Sequence, residues 1–252
     1  MVKKLIAVAG LAVLLPASSF AYWGLGVKGG ATAVTDDDFK NEMSYSADSA
    51  WTNYSGEVSK NGGYAGAELF LEGNGENRFG VSVGIKSIAE TKLTEDWGNG
   101  ATTLEAKNSA IAFPVTLYWK HKAEDSSVGF WLGAGADFMK AKTKWSDSYG
   151  VNTDFKQNKL VPHVDAGLEW YIFKRVSLGV NLGYLFGGKF DELKGSVNGT
   201  DMQLYTTPQS VGSSLGYAAS KPAGSNNFSQ DYSGVRGELA LRVYFGGPDS
   251  KE

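Results

Sequence analysis

The feature that most constrains this chain is a two-residue alternation of apolar with small or polar side chains, repeated along most of it after residue 21. Successive side chains of a strand point to opposite faces, so a period of two means strands with two chemically different faces. From Trp23 the odd positions read Trp23, Leu25, Val27, Gly29, Ala31 and Ala33, with Gly24, Gly26, Lys28, Gly30 and Thr32 between them. In "YAGAELFLE", Ala65, Ala67, Leu69 and Leu71 alternate with Gly66, Glu68, Phe70 and Glu72. "FGVSVGIK", "AIAFPVTLYWK", "GFWLGAGADF", "HVDAGLEWYIF", "VSLGVNLGYLF" and "VRGELALRVYF" divide in the same way, which predicts eight strands. No segment shows a helical period, and no linker marks a second domain.

The links between these segments alternate in length. Long ones cover about 35–62, 89–107, 141–157 and 187–232, and short ones 73–78, 121–127 and 174–175. Long and short links on opposite ends predict an all-β, eight-stranded antiparallel up-and-down barrel. Its chemistry predicts which face is inside. The non-apolar face is mostly Gly, Ser and Asn with isolated charges, a poor coat for a water-soluble surface but a good fit to a narrow lumen. Turning the barrel inside out would put Lys28, Lys86, Arg236 and Arg242 into lipid, at roughly 2–4 kcal/mol each near the midplane. The apolar face is therefore expected to meet lipid, with short periplasmic turns and long extracellular loops. Trp23, Phe79, Trp119, Phe130, Trp170 and Phe245 all fall at the short-link ends of their segments, as a periplasmic-side interfacial girdle would. Pro114 and Pro162 each remove a ladder donor, so a bulge or a rim position is expected at both.

Residues 1–21 have the layout of a cleaved signal peptide: Lys3 and Lys4, an apolar run from Leu5 to Leu15, then Ser19-Phe20-Ala21. The expected organisation is a signal peptide (1–21), a barrel (22–245) and a short polar tail (246–252). The chain has no cysteine, so no disulfide staples it, and its net charge of −3 gives no reason to expect nucleic acid. Gly24-Leu25-Gly26-Val27-Lys28-Gly29 matches the dinucleotide fingerprint G-x-G-x-x-G. That fingerprint needs a strand before its first glycine and a helix at its last, whereas here alternation runs straight through it. No cofactor is expected.

"AIAFPVTLYWK", "GFWLGAGADF", "AGLEWYIFKRVSLGVNLGYLF" and the closing "GELALRVYF" resemble the small eight-stranded outer-membrane β-barrels of Gram-negative bacteria, the OmpA-, OmpX- and OmpW-like group. The resemblance covers nearly the whole chain after residue 21 and implies a bacterial outer-membrane location. It also implies outer-membrane lipids, lipopolysaccharide and the barrel-assembly machinery as partners. Such barrels usually end on an aromatic residue that the assembly machinery reads; Phe245 stands in that role, although Gly246 to Glu252 follow it.

Nine charged residues point inward by parity: Lys28, Glu68, Lys86, Asp137, Asp165, Glu169, Arg236, Glu238 and Arg242. An unpaired charge in a narrow low-dielectric lumen is strongly unfavourable, so an ion-pair network that plugs the barrel is expected, with Arg242 bonded to Glu68 or Glu169. The alternative is a narrow porin-like channel lined by the same charges. A lipid-modifying enzyme is a weaker reading: His121 lies in a short turn, and His163, placed near the outer rim, has no serine beside it by spacing. The run Asp36-Asp37-Asp38 lacks spaced metal ligands and is expected to be a solvated loop. Tyr45, Trp51, Tyr54, Tyr205, Tyr217, Phe228 and Tyr232 lie in long loops, where they could recognise an extracellular partner or fold back over the barrel mouth.

Overall fold

The computed structural model describes residues 21–34, 37–48, 55–59, 62–96 and 103–246. Its elements run β1 (Tyr22–Thr32), α1 (Asp37–Asp48), β2 (Ser55–Ser59), β3 (Gly63–Glu72), β4 (Asn77–Asp96), β5 (Thr103–His121), β6 (Val128–Asp147), β7 (Asn152–Phe173) and β8 (Val176–Leu185). Short strands follow: β9 (Lys189–Phe190), β10 (Lys194–Val197), β11 (Thr200–Pro208), β12 (Ser213–Ala218), β13 (Asn226–Asn227) and β14 (Gln230–Asp231). β15 (Gly234–Gly246) ends the described chain.

Eight antiparallel strands close on themselves. Consecutive pairings run β3–β4, β4–β5, β5–β6, β6–β7 and β7–β8. β8 pairs β15, and β15 pairs β1, which also pairs β3. Closure leaves no free edge in this part of the sheet, so every strand satisfies its backbone donors and acceptors on both sides. Small residues permit the tight interior. A Cβ at Gly24 would lie 2.2 Å from the Phe70 ring, and one at Gly30 would lie 2.0 Å from the Gly237 carbonyl oxygen. The G-x-G-x-x-G stretch is thus the barrel's first strand.

Three expectations need correction. The links 89–107 and 141–157 are mostly strand: β4 runs on to Asp96, β5 starts at Thr103, and only residues 148–151 separate β6 from β7. Lysine, threonine and asparagine replace the apolar outer row there, so the alternation fades although the hydrogen-bonded ladder continues. Residues 187–232 also contain β9 to β14. Second, α1 occupies part of the first long link. Its buried stripe is Phe39, Glu42, half-buried Met43 and Ser46, so the spacing is helical but half the positions are polar. Asp37 and Asp38 in its first turn suit the positive end of the helix dipole.

Third, neither proline makes a bulge. At Pro114 the ladder skips Gly84 and Ile85 but keeps its register from Val83–Val115 to Lys86–Ala112. Pro162 stays opposite Ala136 in an unbroken β6–β7 ladder, and its carbonyl accepts from Phe186 N–H at 2.9 Å where β8 leaves β7. The irregularities lie instead between Ile88 and Thr91 and between Tyr171 and Phe173.

The interior has two storeys. Nearer the short turns it is charged and aromatic. Towards the long-loop end it becomes an apolar core that includes Leu93, Leu104, Met139, Trp145, Phe155 and Leu204. Phe39 of α1 and Phe228 pack onto each other at 5.7 Å and close this core from above. The outer face keeps its apolar row: Leu25, Val27, Leu117, Leu132, Leu168, Val180, Leu182, Leu239 and Leu241 are all exposed.

Candidate functional site

The lower storey holds two neighbouring clusters of ion pairs, built from inward positions of the eight barrel strands and coupled to each other electrostatically rather than by a direct contact. Arg242 on β15 reaches both acids considered for it: its Nε donates to Glu68 Oε1 at 2.7 Å and its Nη1 to Glu169 Oε2 at 3.3 Å. Lys120 on β5 is 0% exposed and donates to Glu169 (2.9 Å), Tyr244 (2.8 Å) and Tyr171 (3.1 Å), and it also contacts Glu72. Ser177 and Tyr244 donate to the other Glu169 oxygen. Arg78 closes this layer against Glu72 at 3.3 Å.

Lys28 links the layers, lying 2.5 Å from Glu68 and 3.4 Å from Glu238. Glu238 also takes Lys86 (3.1 Å), Asn181 (2.8 Å) and the Tyr64 hydroxyl (2.9 Å). Arg236 donates to Asp165 through Nε and Nη2 and to Asp137 through Nη1 at 3.1 Å. His163 completes the group, with Nδ1 at 2.7 Å from Asp137 and Nε2 at 2.9 Å from Thr116 Oγ1. The lower storey thus sets six cations (Lys28, Arg78, Lys86, Lys120, Arg236, Arg242) against six carboxylates (Glu68, Glu72, Asp137, Asp165, Glu169, Glu238). Each has at least one opposite charge in contact. Bidentate arginine and multiply bonded lysine are the geometries that offset the desolvation of buried ions.

All nine inward charges named by parity fall in these two clusters. Three charges of the clusters are absent from that set: Glu72 and Lys120, which lie in segments that read as strand but are not counted among the nine, and Arg78, the second residue of β4, which reads as a turn residue; so are the aromatic partners Tyr64, Tyr171 and Tyr244. Parity continued to the last strand residue would have found Glu72 and Lys120. His163 is corrected in position: β7 continues eleven residues beyond it to Asn152, so it lies deep in the lumen rather than at a rim. Its neighbours Thr116 and Asp137 stand in the order nucleophile, base, orienter. With His163 only 2% exposed and Thr116 6%, the hydroxyl is closed to an acyl substrate. His121 ends β5, with Nδ1 at 3.0 Å from Asn77. Among the described residues no group of three or more His, Asp or Glu side chains is arranged to hold a metal ion.

The six girdle aromatics all occupy outward positions. Trp23 stacks on Phe245 at 4.4 Å, and Trp119 meets Phe130 edge-on at 5.2 Å; Phe79 and Trp170 are exposed.

The upper storey holds a cap in place. Gln230 is fully buried and its side-chain amide donates to Asn108 (2.8 Å) and Thr143 (2.6 Å), while the Tyr232 hydroxyl donates to Gln230 Oε1 at 2.8 Å. Phe228 and Tyr232 therefore fold back into the barrel, and Tyr217 packs on Trp145 at 5.4 Å. Trp51, Tyr54 and Asp36 lie outside the described residues. Asp38 is not a solvated loop residue; it accepts from Ser229 N–H at 2.6 Å and pins α1 to the last loop.

Glu42 accepts from Leu215 N–H and from Ser46 Oγ under α1. Burial, reinforced by the charge of Glu95, pushes its carboxyl up to about 8. A group bound more tightly to its proton when folded contributes its full stability below its unfolded pKa and loses it as pH rises to the folded value. Cap docking is thus expected to weaken between about pH 4.5 and pH 8, by on the order of a few kcal/mol, and then to level off. Glu42→Gln should abolish that slope. Urea unfolding of both proteins at pH 5 and pH 9 checks it, and parallel pH curves would contradict it.

No family model matches the sequence, and no curated protein matches it. Among solved structures, the chain is similar to Ail, the attachment invasion locus protein of Yersinia pestis, at 11% identity and TM-score 0.42, covering 89% of this chain and 98% of that one. It is also similar to Neisserial surface protein A, at 11% identity and TM-score 0.38, with 89% and 97% covered. OprG from Pseudomonas aeruginosa matches at 8% identity and TM-score 0.42, with 90% and 95% covered. These are likenesses of overall shape. The chain's own register establishes its architecture: a closed, antiparallel, eight-stranded barrel with an ion-paired interior.

Proposed function

We propose that this chain is a non-enzymatic outer-membrane β-barrel protein, exported by its N-terminal signal and presenting a folded cap outside the cell, with a lumen that does not conduct. The observation that carries this reading is the pairing of six cations with six carboxylates in the lower storey of a barrel whose outer row is apolar. A pore needs charges that face mobile water, whereas here each charge is committed to a protein partner. The apolar outer row supports a lipid surround, and a lipid-embedded barrel needs the closure seen here. Among the described residues no helix is long and apolar enough to cross a membrane; on this reading the strands cross it.

The short turns then face the periplasm and the cap faces outward. Partners on this reading are outer-membrane lipids, including lipopolysaccharide, the assembly machinery that recognises the strand ending in Phe245, and an extracellular ligand of the cap. Nucleic acid is not among them. The burial of Thr116 and His163 supports a non-enzymatic role. Planar-bilayer recording of the purified protein tests the proposal, with no stable unitary current expected.

A further inference from the structure

Beyond the apolar row, five neighbouring strands carry an unusual concentration of one charge. On β6 the outward positions Phe130, Leu132, Ala134, Ala136 and Phe138 are followed by Lys140, Lys142 and Lys144. Phe130 to Phe138 is nine residues, matching the ~9–11 residues a tilted strand needs to cross the hydrocarbon layer. The lysines therefore begin where the apolar layer ends, on the long-loop side. The register places them beside more lysines: Lys144 opposite Lys107 of β5, Lys107 opposite Lys92 of β4, Lys142 opposite Lys156 of β7, and Lys156 opposite Lys194 of β10.

Like charges directly across a ladder are destabilising unless something anionic lies between them. The protein supplies only part of that. Glu105 takes Lys92 (3.0 Å) and Lys107 (2.6 Å), and Asp154 takes Lys156 (2.9 Å) and, at 3.9 Å, Lys142. Glu90 acts on Lys107 from a distance, and Asp201 lies opposite Ser196 at the far edge. Lys140, Lys144 and Lys194 are exposed and make no ion pair within 4 Å among the described residues, although Lys144 stands across the ladder from Asp154 and interacts with its charge. Asp96 stands two rungs beyond Lys92 on the same outward row of β4; seven lysines against five carboxylates leave an excess of positive charge at the height where lipid headgroups lie.

We propose that this outward face of β4 to β7 and β10 is a binding surface for membrane lipids whose headgroups carry two or more phosphates, with the lysine rungs spanning the phosphates and the apolar row below taking the acyl chains. The inference rests on the reading of the long-loop end as the outer side of a membrane barrel. It deepens the lipid partnership by giving it a place and a chemistry.

Native mass spectrometry of the full-length protein in detergent, titrated with bis-phosphorylated lipid A and with its monophosphoryl form, tests it. The wild type should retain the bis-phosphoryl form preferentially. The triple variant K140Q/K142Q/K144Q should weaken that binding roughly 100-fold, at about fivefold per lysine near a charged surface. Neutralising Lys122 and Lys174, at the short-turn end, should leave it unchanged. Equal binding of the two lipid forms, an unaffected triple variant, or equal loss in the short-turn control would overturn the proposal. So would displacement of lipid A by equimolar inorganic pyrophosphate, which would assign the lysines to soluble anions. A boiling-dependent shift on SDS gels, run on the same samples, separates the two readings. Its absence in the wild type counts against the membrane barrel itself, whereas its presence with no lipid discrimination overturns only the lysine surface.

Discussion

Replacing Arg242 by methionine is expected to destabilise the folded barrel by about 3–5 kcal/mol, the range for removing one partner from a buried ion pair. Arg242 is the shared cation of Glu68 and Glu169, and its guanidinium also lies over the Phe70 and Trp131 rings at 5.7 and 5.5 Å. Methionine keeps much of the apolar stem but leaves one Glu68 oxygen without its arginine. Glu169 retains Lys120, Ser177 and Tyr244, and Glu68 retains Lys28, so the effect should fall mainly on Glu68. Adding Glu68→Gln to the same chain should recover part of the loss, because it removes the orphaned charge. Urea unfolding in lipid vesicles measures both variants. A single variant within about 1 kcal/mol of wild type would mean that water screens these charges, contrary to the packed lumen described here.

The second large effect concerns the outer face. Leu239 and Val235 both point outward on β15, and both are exposed. Phe245 marks the girdle end of that strand, so Leu239 stands near mid-height and Val235 near the opposite boundary. Leu239→Arg is expected to cost about 2–4 kcal/mol of stability in a bilayer, and Val235→Arg only about 0–1 kcal/mol. Detergent-free refolding into vesicles, followed by urea titration, reads this depth dependence. Equal, small effects at both positions would indicate that the face meets water, as in a soluble barrel.

Much of the barrel was legible in the sequence because one rule, the period of two, governs it from Trp23 to Phe245. The rule assigned Lys28, Lys86 and Arg236 to the interior without knowledge of their partners. It failed where chemistry and geometry part company. Above Phe138 the outer row becomes Lys140, Lys142 and Lys144, so the strand continues while the apolar signal stops. Glu42 and Ser46 occupy buried helical positions, which hid α1 from a search for apolar periodicity. Arg78 falls on the second residue of β4, where sequence alone does not separate ladder from turn. Which cation meets which anion depends on strand tilt and stagger, and the sequence carries no direct signal for either.

Single-channel recording of the purified protein in a planar bilayer measures directly whether the paired charges close the lumen. Wild type is expected to insert without stable unitary currents across the voltage range in which the bilayer survives. Stable ohmic steps from wild type, with a selectivity that changes in Arg242→Met or Arg236→Gln, would contradict the closed network and make these charges the lining of a channel.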